Sequence, residues 1–279
     1  MILKSYSKIN LSLSVNKKLK QKKLHDIQSF FCLINLFDRI EIKKIKGKKD
    51  IIRFKGKFAK FINKKDNSIK DVLSILRQRN LIVGFYSILI FKRIPVFAGL
   101  GGGTSNAACL IKYLIGKKIN EDLLKILSNK IGSDLKLFFY KQGFLKNLTS
   151  IKKFHKSYNL YFLLVYPNIR SSTSKIYSKV KKLTLKSHYN YNNLNNKSKF
   201  LSLLKSSKND LQFIVEKKYP IIKKLVTRIQ KIKGCYFSRM TGSGSVCYGL
   251  FKSKKTAKVA LNRIKLIYPK YWSVISKTI

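Results

Sequence analysis

Four of the fourteen glycines in the chain lie within five residues, in a segment whose spacing suits the binding of an anion. Gly99 and the triplet Gly101–Gly103 are followed directly by Thr104 and Ser105. Clustered glycine costs chain entropy, so the backbone here must need positive φ or close approach to another group. Thr104-Ser105 can cap a helix whose first amides and dipole face the loop. The segment therefore predicts a phosphate cradle, the alternative being a strained strand-to-helix turn without a ligand.

Two common nucleotide motifs do not fit this loop. No Gly-Lys-Ser/Thr sequence ends it, which excludes a Walker A motif. Counted from Gly99, the sixth position is Thr104, and no acid follows at the ribose-binding spacing, which excludes the dinucleotide-binding fingerprint. Protein-kinase catalytic signatures are absent as well.

The segment from Pro95 to Ala108, P-V-F-A-G-L-G-G-G-T-S-N-A-A, instead resembles the phosphate loop of the GHMP kinases, the family of galactokinase and of homoserine, mevalonate and phosphomevalonate kinases. The resemblance implies ATP as co-substrate, with Mg²⁺. The residues that it assigns to ATP are Pro95, Val96, Phe97, Ala98, Gly99, Leu100, Gly101, Gly102, Gly103, Thr104 and Ser105.

Further segments resemble the same family in the same order, from about residue 8 to residue 251. They are Lys8–Leu11, Leu24–Phe31, Gly132–Asp134, Pro167–Tyr177, Asn209–Leu211 and Ser238–Gly244. The triple glycine followed by Thr-Ser-Asn-Ala-Ala is most similar to the branch whose acceptor is the 2-hydroxyl of 4-diphosphocytidyl-2-C-methyl-D-erythritol, in non-mevalonate isoprenoid synthesis. Leu24 stands where that branch usually has Tyr, and Lys136 where it has Pro.

The resemblance also assigns the reacting groups. It makes Asp134, one of only eleven acids, the base that takes the proton of the attacking hydroxyl. It makes Lys8 the cation that keeps this base ionised and offsets charge on the transferring phosphoryl group. Without the resemblance, Asp134 would be a capping or turn aspartate and Lys8 a solvated strand lysine.

The acceptor side is assigned in the same way. By resemblance, His25 hydrogen-bonds to the cytosine, Tyr177 stacks on it, and Asn10 binds the methylerythritol end. The alternative is a surface histidine and a core tyrosine, one of fifteen. The turn Thr241–Gly244 either closes over substrate or is a simple hairpin turn.

The elements that must position these residues mix helix and strand in both halves of the chain, which predicts an α+β protein. The resemblance implies two domains, residues 1–150 and 151–279, with the active site in the cleft between them. Periodicity predicts strands at Lys8–Val15, Arg39–Ile45, Ile51–Phe54, Leu81–Phe91, Leu135–Tyr140, Leu160–Tyr166 and Val246–Phe251. It predicts helices from Ser68, from Thr104-Ser105 to Gly116, from Asn120 to Gly132, and at Asp210–Val215, Ile221–Ile232 and Thr256–Ile267. Lys181–Lys208 is predicted to form either a loose connection or a degenerate pair of helices.

The net charge of +50 suggests a nucleic-acid partner at first sight. Only nine of the 61 cations are Arg, the residue best suited to base recognition, and the lysines are spread along the whole chain. A surplus of Lys, Ile, Asn, Phe and Tyr is typical of an AT-rich genome. We therefore interpret the charge as compositional and expect no functional nucleic acid, although a basic nucleic-acid-binding protein remains the non-enzyme alternative.

The four cysteines form no CxxC motif, which argues against a zinc site and fits a reducing compartment. No apolar run reaches membrane-spanning length, and the N-terminus lacks a signal-peptide core. The expectation is a cytoplasmic small-molecule kinase, monomeric or homodimeric, with another GHMP kinase as the enzymatic alternative.

Overall fold

The computed structural model describes residues 1–19, 25–63, 66–154, 157–189 and 194–279. They form two compact units. Unit 1 comprises Met1–Lys8, Leu36–Val96 and Gly101–Tyr140, and unit 2 comprises Ile9–Asn35, Phe97–Leu100 and Lys141–Ile279. The domain boundary expected near residue 150 stays a prediction.

The strands are β1 (Ile2–Asn10), β2 (Ser14–Lys18), β3 (His25–Ile45), β4 (Ile51–Lys55), β5 (Phe85–Phe91), β6 (Gln142–Leu145), β7 (Ile151–Lys153), β8 (Tyr161–Tyr166), β9 (Cys235–Met240), β10 (Cys247–Phe251) and β11 (Trp272–Lys277). The α-helices are α1 (Ser68–Gln78), α2 (Gly102–Ile115), α3 (Glu121–Ile131), α4 (Thr173–Tyr177), α5 (Lys197–Ser206), α6 (Asp210–Lys218), α7 (Ile221–Gln230) and α8 (Lys254–Ile267). The predicted mixture of helices and strands is confirmed.

Unit 1 combines β-strands with three helices. The second half of β3 pairs antiparallel with β5, with Arg39 opposite Phe91, and β4 runs parallel to β5. Helix α1 packs against both α2 and α3, and the 3₁₀ helix Ser133–Phe139 packs on α2 and α3. This packing places the start of α2 beside the chain that carries Asp134.

Unit 2 contains an antiparallel sheet in the order β11-β8-β10-β9. Its strand β8 is buried almost throughout, and helices α7 and α8 pack on the sheet. The first half of β3 pairs with β2 and with β6, and β6 pairs with β7. Long-range pairing therefore builds this unit from both ends of the chain.

Helix boundaries follow local capping chemistry. The Asn120 side chain accepts a hydrogen bond from the Leu123 amide, and Gly132 ends α3, as predicted. The helix predicted from Ser68 is α1, and its apolar residues Ile69, Val72, Leu73 and Leu76 are buried. Its N-cap is Asn67, whose side-chain Oδ1 atom accepts hydrogen bonds from the amides of Ile69 and Lys70.

Three predictions of strands were wrong. Leu135–Tyr140 is not a strand, because Ser133–Phe139 forms a 3₁₀ helix that buries Leu135, Leu137 and Phe138. The strand expected from Leu81 begins only at Phe85, after Gly84 turns the chain with a φ of +80°. The strand expected over Lys8–Val15 is divided between the end of β1 and the start of β2.

The segment Lys181–Lys208 contains one helix, α5, among its described residues. Residues 190–193 within it lie outside the described part of the chain. Among the residues that the structure describes, no helix is both long and apolar enough to cross a bilayer.

Candidate active site

The first part of the glycine loop packs so closely against other backbone atoms that position 99 has no room for a side chain. Phe97 and Gly99 have positive φ angles of 55° and 79°. A Cβ atom on Gly99 would lie 2.2 Å from the carbonyl oxygen of Thr241, within the same unit. The Ala98 carbonyl also accepts a hydrogen bond from the Val246 amide at 3.1 Å. Only glycine at position 99 permits this close approach of two backbones.

Helix α2 begins two residues earlier than predicted. Gly101 is its N-cap residue in a left-handed conformation (φ 67°, ψ 27°), and no side chain caps the helix. The amides of Gly102, Gly103 and Thr104 therefore have no intrahelical acceptor by helix geometry. Three amides and the positive end of the dipole at a side-chain-free terminus suit a phosphate group.

Ser105 does not cap the helix, contrary to the prediction. Its buried hydroxyl donates to the Tyr6 carbonyl and lies 2.7 Å from the Ser5 Oγ atom. These bonds turn the hydroxyl towards β1, because Ser105 lies one turn inside α2 rather than before it.

Lys8 and Asp134 meet beside this helix terminus. The Lys8 Nζ atom is 3.1 Å from the Asp134 Oδ2 atom, with side-chain exposures of 3% and 33%. A Cβ atom on Gly101 would lie 3.3 Å from the Lys8 Cε atom, so the lysine stem runs along the loop. A buried ammonium, a partly exposed carboxylate and an anion cradle are thus neighbours within unit 1.

The position of Asp134 depends on the chain that follows α3. Gly132 turns the backbone with a φ of 139°, and Asp134 lies in the first turn of the 3₁₀ helix, whose start carries no side-chain cap. Lys112 of α2 donates to the Phe138 carbonyl at 2.6 Å, and burial lowers the pKa of its ammonium. Lys136, in place of the family's proline, forms an ion pair with Glu121.

His25 and Tyr177 form a second group, within unit 2. Their rings are stacked with centroids 5.4 Å apart and an interplanar angle of 30°. His25 is 8% exposed, and among the described residues its Nδ1 atom has no hydrogen-bond partner. Burial, and secondly the charge of Lys18, lower the pKa of His25 below its ordinary value of 6.5. Leu24 lies outside the described residues.

Asn10 forms a third group with the turn after β9. Asn10 is buried. Its side-chain Nδ2 atom donates to Ser29 Oγ at 2.8 Å, and its backbone N–H donates to Thr241 Oγ1 at 3.0 Å. The Asn209 side chain donates to the carbonyls of Met240 and Gly242, both at 2.9 Å, and so holds this turn.

Sequence reasoning missed a buried polar cluster behind the loop. Asp38, Lys92 and Asn106 are each no more than 2% exposed and are hydrogen-bonded to one another. The available signal was Asp38 itself, a scarce acid that directly follows the apolar pair Leu36-Phe37.

The residues do not by themselves build a magnesium site. The described part of the chain holds no cluster of three or more His, Cys, Asp or Glu side chains that could bind a metal. The Ser105 hydroxyl, at the end of the glycine loop, is bonded to β1.

The fold and this site indicate a class of enzyme, and comparison with known protein families leads to the same class. A model of the GHMP kinase N-terminal domain matches residues 67–140, and a model of the GHMP kinase C-terminal domain matches residues 189–270. Together the two matches cover more than half of the chain. The class is that of the GHMP kinases, ATP-dependent small-molecule kinases, as the phosphate loop predicted.

Similarity to individual proteins identifies the family within this class. The chain is 37% identical to the 4-diphosphocytidyl-2-C-methyl-D-erythritol kinase of Pelagibacter ubique (strain HTCC1062), over 99% of this chain and 98% of the relative. It is 31% identical to the kinase of the same name from Wolbachia sp. subsp. Drosophila simulans (strain wRi), over 97% and 96%. A crystal structure of 4-(cytidine 5'-diphospho)-2C-methyl-D-erythritol kinase shares the fold with a TM-score of 0.76, at 21% identity and full coverage of both chains. The chain belongs to the family of 4-diphosphocytidyl-2-C-methyl-D-erythritol kinases.

Proposed function

We propose that this protein transfers the γ-phosphoryl group of ATP to the 2-hydroxyl of 4-diphosphocytidyl-2-C-methyl-D-erythritol, in the non-mevalonate route to isoprenoid precursors. Membership of the family supports the acceptor. The single observation that carries the chemistry is the Lys8–Asp134 pair, 3.1 Å apart, beside the glycine-rich start of α2.

Asp134 acts as the general base. Its carboxylate accepts the proton of the 2-hydroxyl while that oxygen forms a bond to the γ-phosphorus and the bond to the β–γ bridging oxygen breaks, releasing ADP. The exposed third of the Asp134 side chain lets the proton leave to solvent. The Lys8 ammonium offsets the negative charge on the transferring group.

ATP lies on the loop Pro95–Ser105. The amides of Gly102, Gly103 and Thr104 donate to its phosphate oxygens, and the glycines let the phosphates approach the backbone. Mg²⁺ bound with ATP would neutralise phosphate charge, and phosphate oxygens and water would supply most of its ligands, since the described residues offer no metal cluster.

The cytidyl group is bound by His25 and Tyr177. Tyr177 supplies the ring on which the base stacks, and its ring already lies against that of His25. The buried Nδ1 atom of His25, which has no hydrogen-bond partner among the described residues, supplies a hydrogen bond to the base. Asn10 binds the methylerythritol end.

The proposed function places the reaction in the cytoplasm. All four of its cysteines are free, as expected in a reducing compartment. Its state as monomer or homodimer stays a prediction.

The test replaces the base and measures turnover and nucleotide binding separately. Asp134→Asn and Asp134→Ala should lower kcat by about 10²- to 10⁴-fold, because the proton acceptor is lost, and should leave ATP binding near the wild-type value. Asp122→Asn, which removes an exposed acid from the first turn of α3, is the control and should retain activity.

Acceptor specificity is measured in the same assay with 4-diphosphocytidyl-2-C-methyl-D-erythritol, homoserine and mevalonate. Full activity of Asp134→Ala would remove Asp134 as the base. Phosphorylation of homoserine or mevalonate in place of the cytidyl substrate would overturn the proposed acceptor.

A further inference from the structure

One buried carboxylate is bonded to both ends of the glycine loop. The Asp38 Oδ1 atom accepts hydrogen bonds from the amides of Arg93 at 2.7 Å and Ile94 at 3.0 Å, directly before the loop. Its Oδ2 atom accepts from the Asn106 Nδ2 atom at 3.0 Å, directly after the loop on α2. Asp38 is fully buried, so water does not compete for these bonds.

Lys92 completes the cluster from the end of β5. Its ammonium forms an ion pair with Asp38 Oδ2 and donates to Asn106 Oδ1 at 2.8 Å. A Cβ atom on Gly102 would lie 3.4 Å from the Lys92 Nζ atom. The ammonium therefore lies directly behind the first residue of α2, where it links the entering strand to the leaving helix.

The hydrogen bonds continue from Asn106 to β1. Asn106 Nδ2 donates to Ser5 Oγ at 2.9 Å, and Ser105 donates to the Tyr6 carbonyl. Since Ser105 has used its proton, the 2.7 Å contact between the two serines is a bond donated by Ser5. Each donor in this series of hydrogen bonds has an acceptor, so the start of α2 has one orientation relative to β1.

Stability alone does not account for such a cluster. Desolvating a carboxylate and an ammonium offsets much of their attraction, and apolar residues of similar volume often stabilise a core as well. The cluster gives directional bonds that fix where the two ends of the loop lie. The loop needs fixed ends, because its backbone amides bind a phosphate group only while they point towards the same place.

We propose that Asp38 is a positioning residue for ATP: through Lys92, Asn106 and the amides of Arg93 and Ile94, it holds both ends of the loop Pro95–Ser105 so that the loop amides face one phosphate group. Asp38 itself touches no nucleotide. The inference rests on the proposed ATP site and goes beyond it in assigning the group that keeps the site in shape.

Burial lowers the pKa of Lys92, and the neighbouring Asp38 charge opposes that shift. Replacing Asp38 with a neutral residue therefore leaves a buried ammonium without its counter-charge. For this reason a single variant confounds folding with positioning, and the test includes the double variant Asp38→Asn/Lys92→Met, which removes both charges.

The experiment measures binding of a non-hydrolysable ATP analogue by calorimetry, KM for ATP and for the cytidyl acceptor, and Tm. Asp38→Asn should weaken nucleotide binding about tenfold and change KM for the acceptor less than about twofold. The double variant should recover Tm and still bind the nucleotide weakly. Asn106→Ala, which leaves the ion pair intact, should weaken binding by about threefold to tenfold.

The matched control is Asp50→Asn. Asp50 also forms an ion pair, with Arg77, and accepts a backbone amide bond, from Tyr86, but these partners lie outside the loop. This variant should lower Tm and leave nucleotide affinity unchanged.

Wild-type nucleotide affinity in folded Asp38→Asn, or its recovery together with Tm in the double variant, would overturn the positioning role. If neither of these variants folds, unchanged affinity in Asn106→Ala would overturn it. Nucleotide binding without transfer to the cytidyl acceptor would refute the proposed acceptor only, whereas a wild-type protein that binds no nucleotide would refute both proposals.

Discussion

At the scale of single residues, surroundings decide which of many similar side chains can do chemistry. Lysine and arginine number 61, so the type of Lys8 carries no information. Its position does, because it is 3% exposed and its ammonium faces the Asp134 carboxylate at 3.1 Å. A buried ammonium acts on nearby charge more strongly than a solvated one, since less water screens it.

His25 offers a test of the acceptor site at the same scale. His25→Phe keeps a ring against Tyr177 and removes the nitrogen atoms, so KM for the cytidyl substrate should rise about tenfold while KM for ATP stays unchanged. The control is His188→Phe, because His188 is exposed. Equal KM values for His25→Phe and the wild type would exclude a hydrogen bond from His25 to the base.

The same residue predicts a pH effect. Burial and, secondly, Lys18 lower the pKa of His25, so the imidazole takes up its proton at a lower pH than an ordinary histidine does. Protonation at lower pH should then raise KM for the cytidyl substrate, and this acidic rise should be absent from His25→Phe.

At the scale of elements, the start of α2 is the feature on which the proposed ATP site depends. Gly101 has a φ of 67°, and a Cβ atom there would lie 2.8 Å from the Phe138 ring. Gly103, two residues later, lies within the helix, and a Cβ atom there would meet only Ser68 Oγ, at 3.9 Å. The two glycines therefore serve different purposes although they belong to one run.

We expect opposite effects on stability from the two alanine substitutions. Gly101→Ala should lower the free energy of unfolding by about 1–2 kcal/mol or more, because of the left-handed backbone and the contact with Phe138. Gly103→Ala should raise it by up to about 1 kcal/mol, because alanine favours helix. Urea unfolding measures both values. Equal losses in the two variants would contradict the assignment of Gly101 as the left-handed cap.

At the scale of the whole molecule, the net charge of +50 opposes compactness. Seven acids of the described residues form ion pairs, and eleven acids in all cannot neutralise 61 cations. Both substrates of the proposed reaction are anions, so this charge should speed their encounter with the protein and attract RNA non-specifically at low salt.

Screening should therefore stabilise the protein. Raising KCl from about 20 mM to about 200 mM shortens the Debye length and should raise Tm by several degrees, as measured by thermal unfolding. NaCl at equal ionic strength is the control and should act equally, since screening does not depend on the identity of the ion. A fall in Tm with salt would mean that the ion pairs outweigh the repulsion.

The fold and site were predictable from sequence where the cause is local. The glycine cluster, the Asn120 cap and the Gly132 end of α3 follow from backbone chemistry within a few residues. The short apolar run after Asp134 was misread as a strand, because such a run does not distinguish a strand from a helical segment. Resemblance, rather than periodicity, indicated Lys8 and Asp134.

The sequence by itself determined the family and predicted the phosphate loop and the candidate base, because each corresponds to a contiguous motif. Only the tertiary structure decided which residues meet: Lys8 and Asp134 are 126 positions apart in the numbering and 3.1 Å apart in space. It alone revealed Asp38 behind the loop, between strand β5 and helix α2. The physical reason is that strand pairing and helix packing join distant segments, and a buried polar group is satisfied only by the partners that this packing supplies.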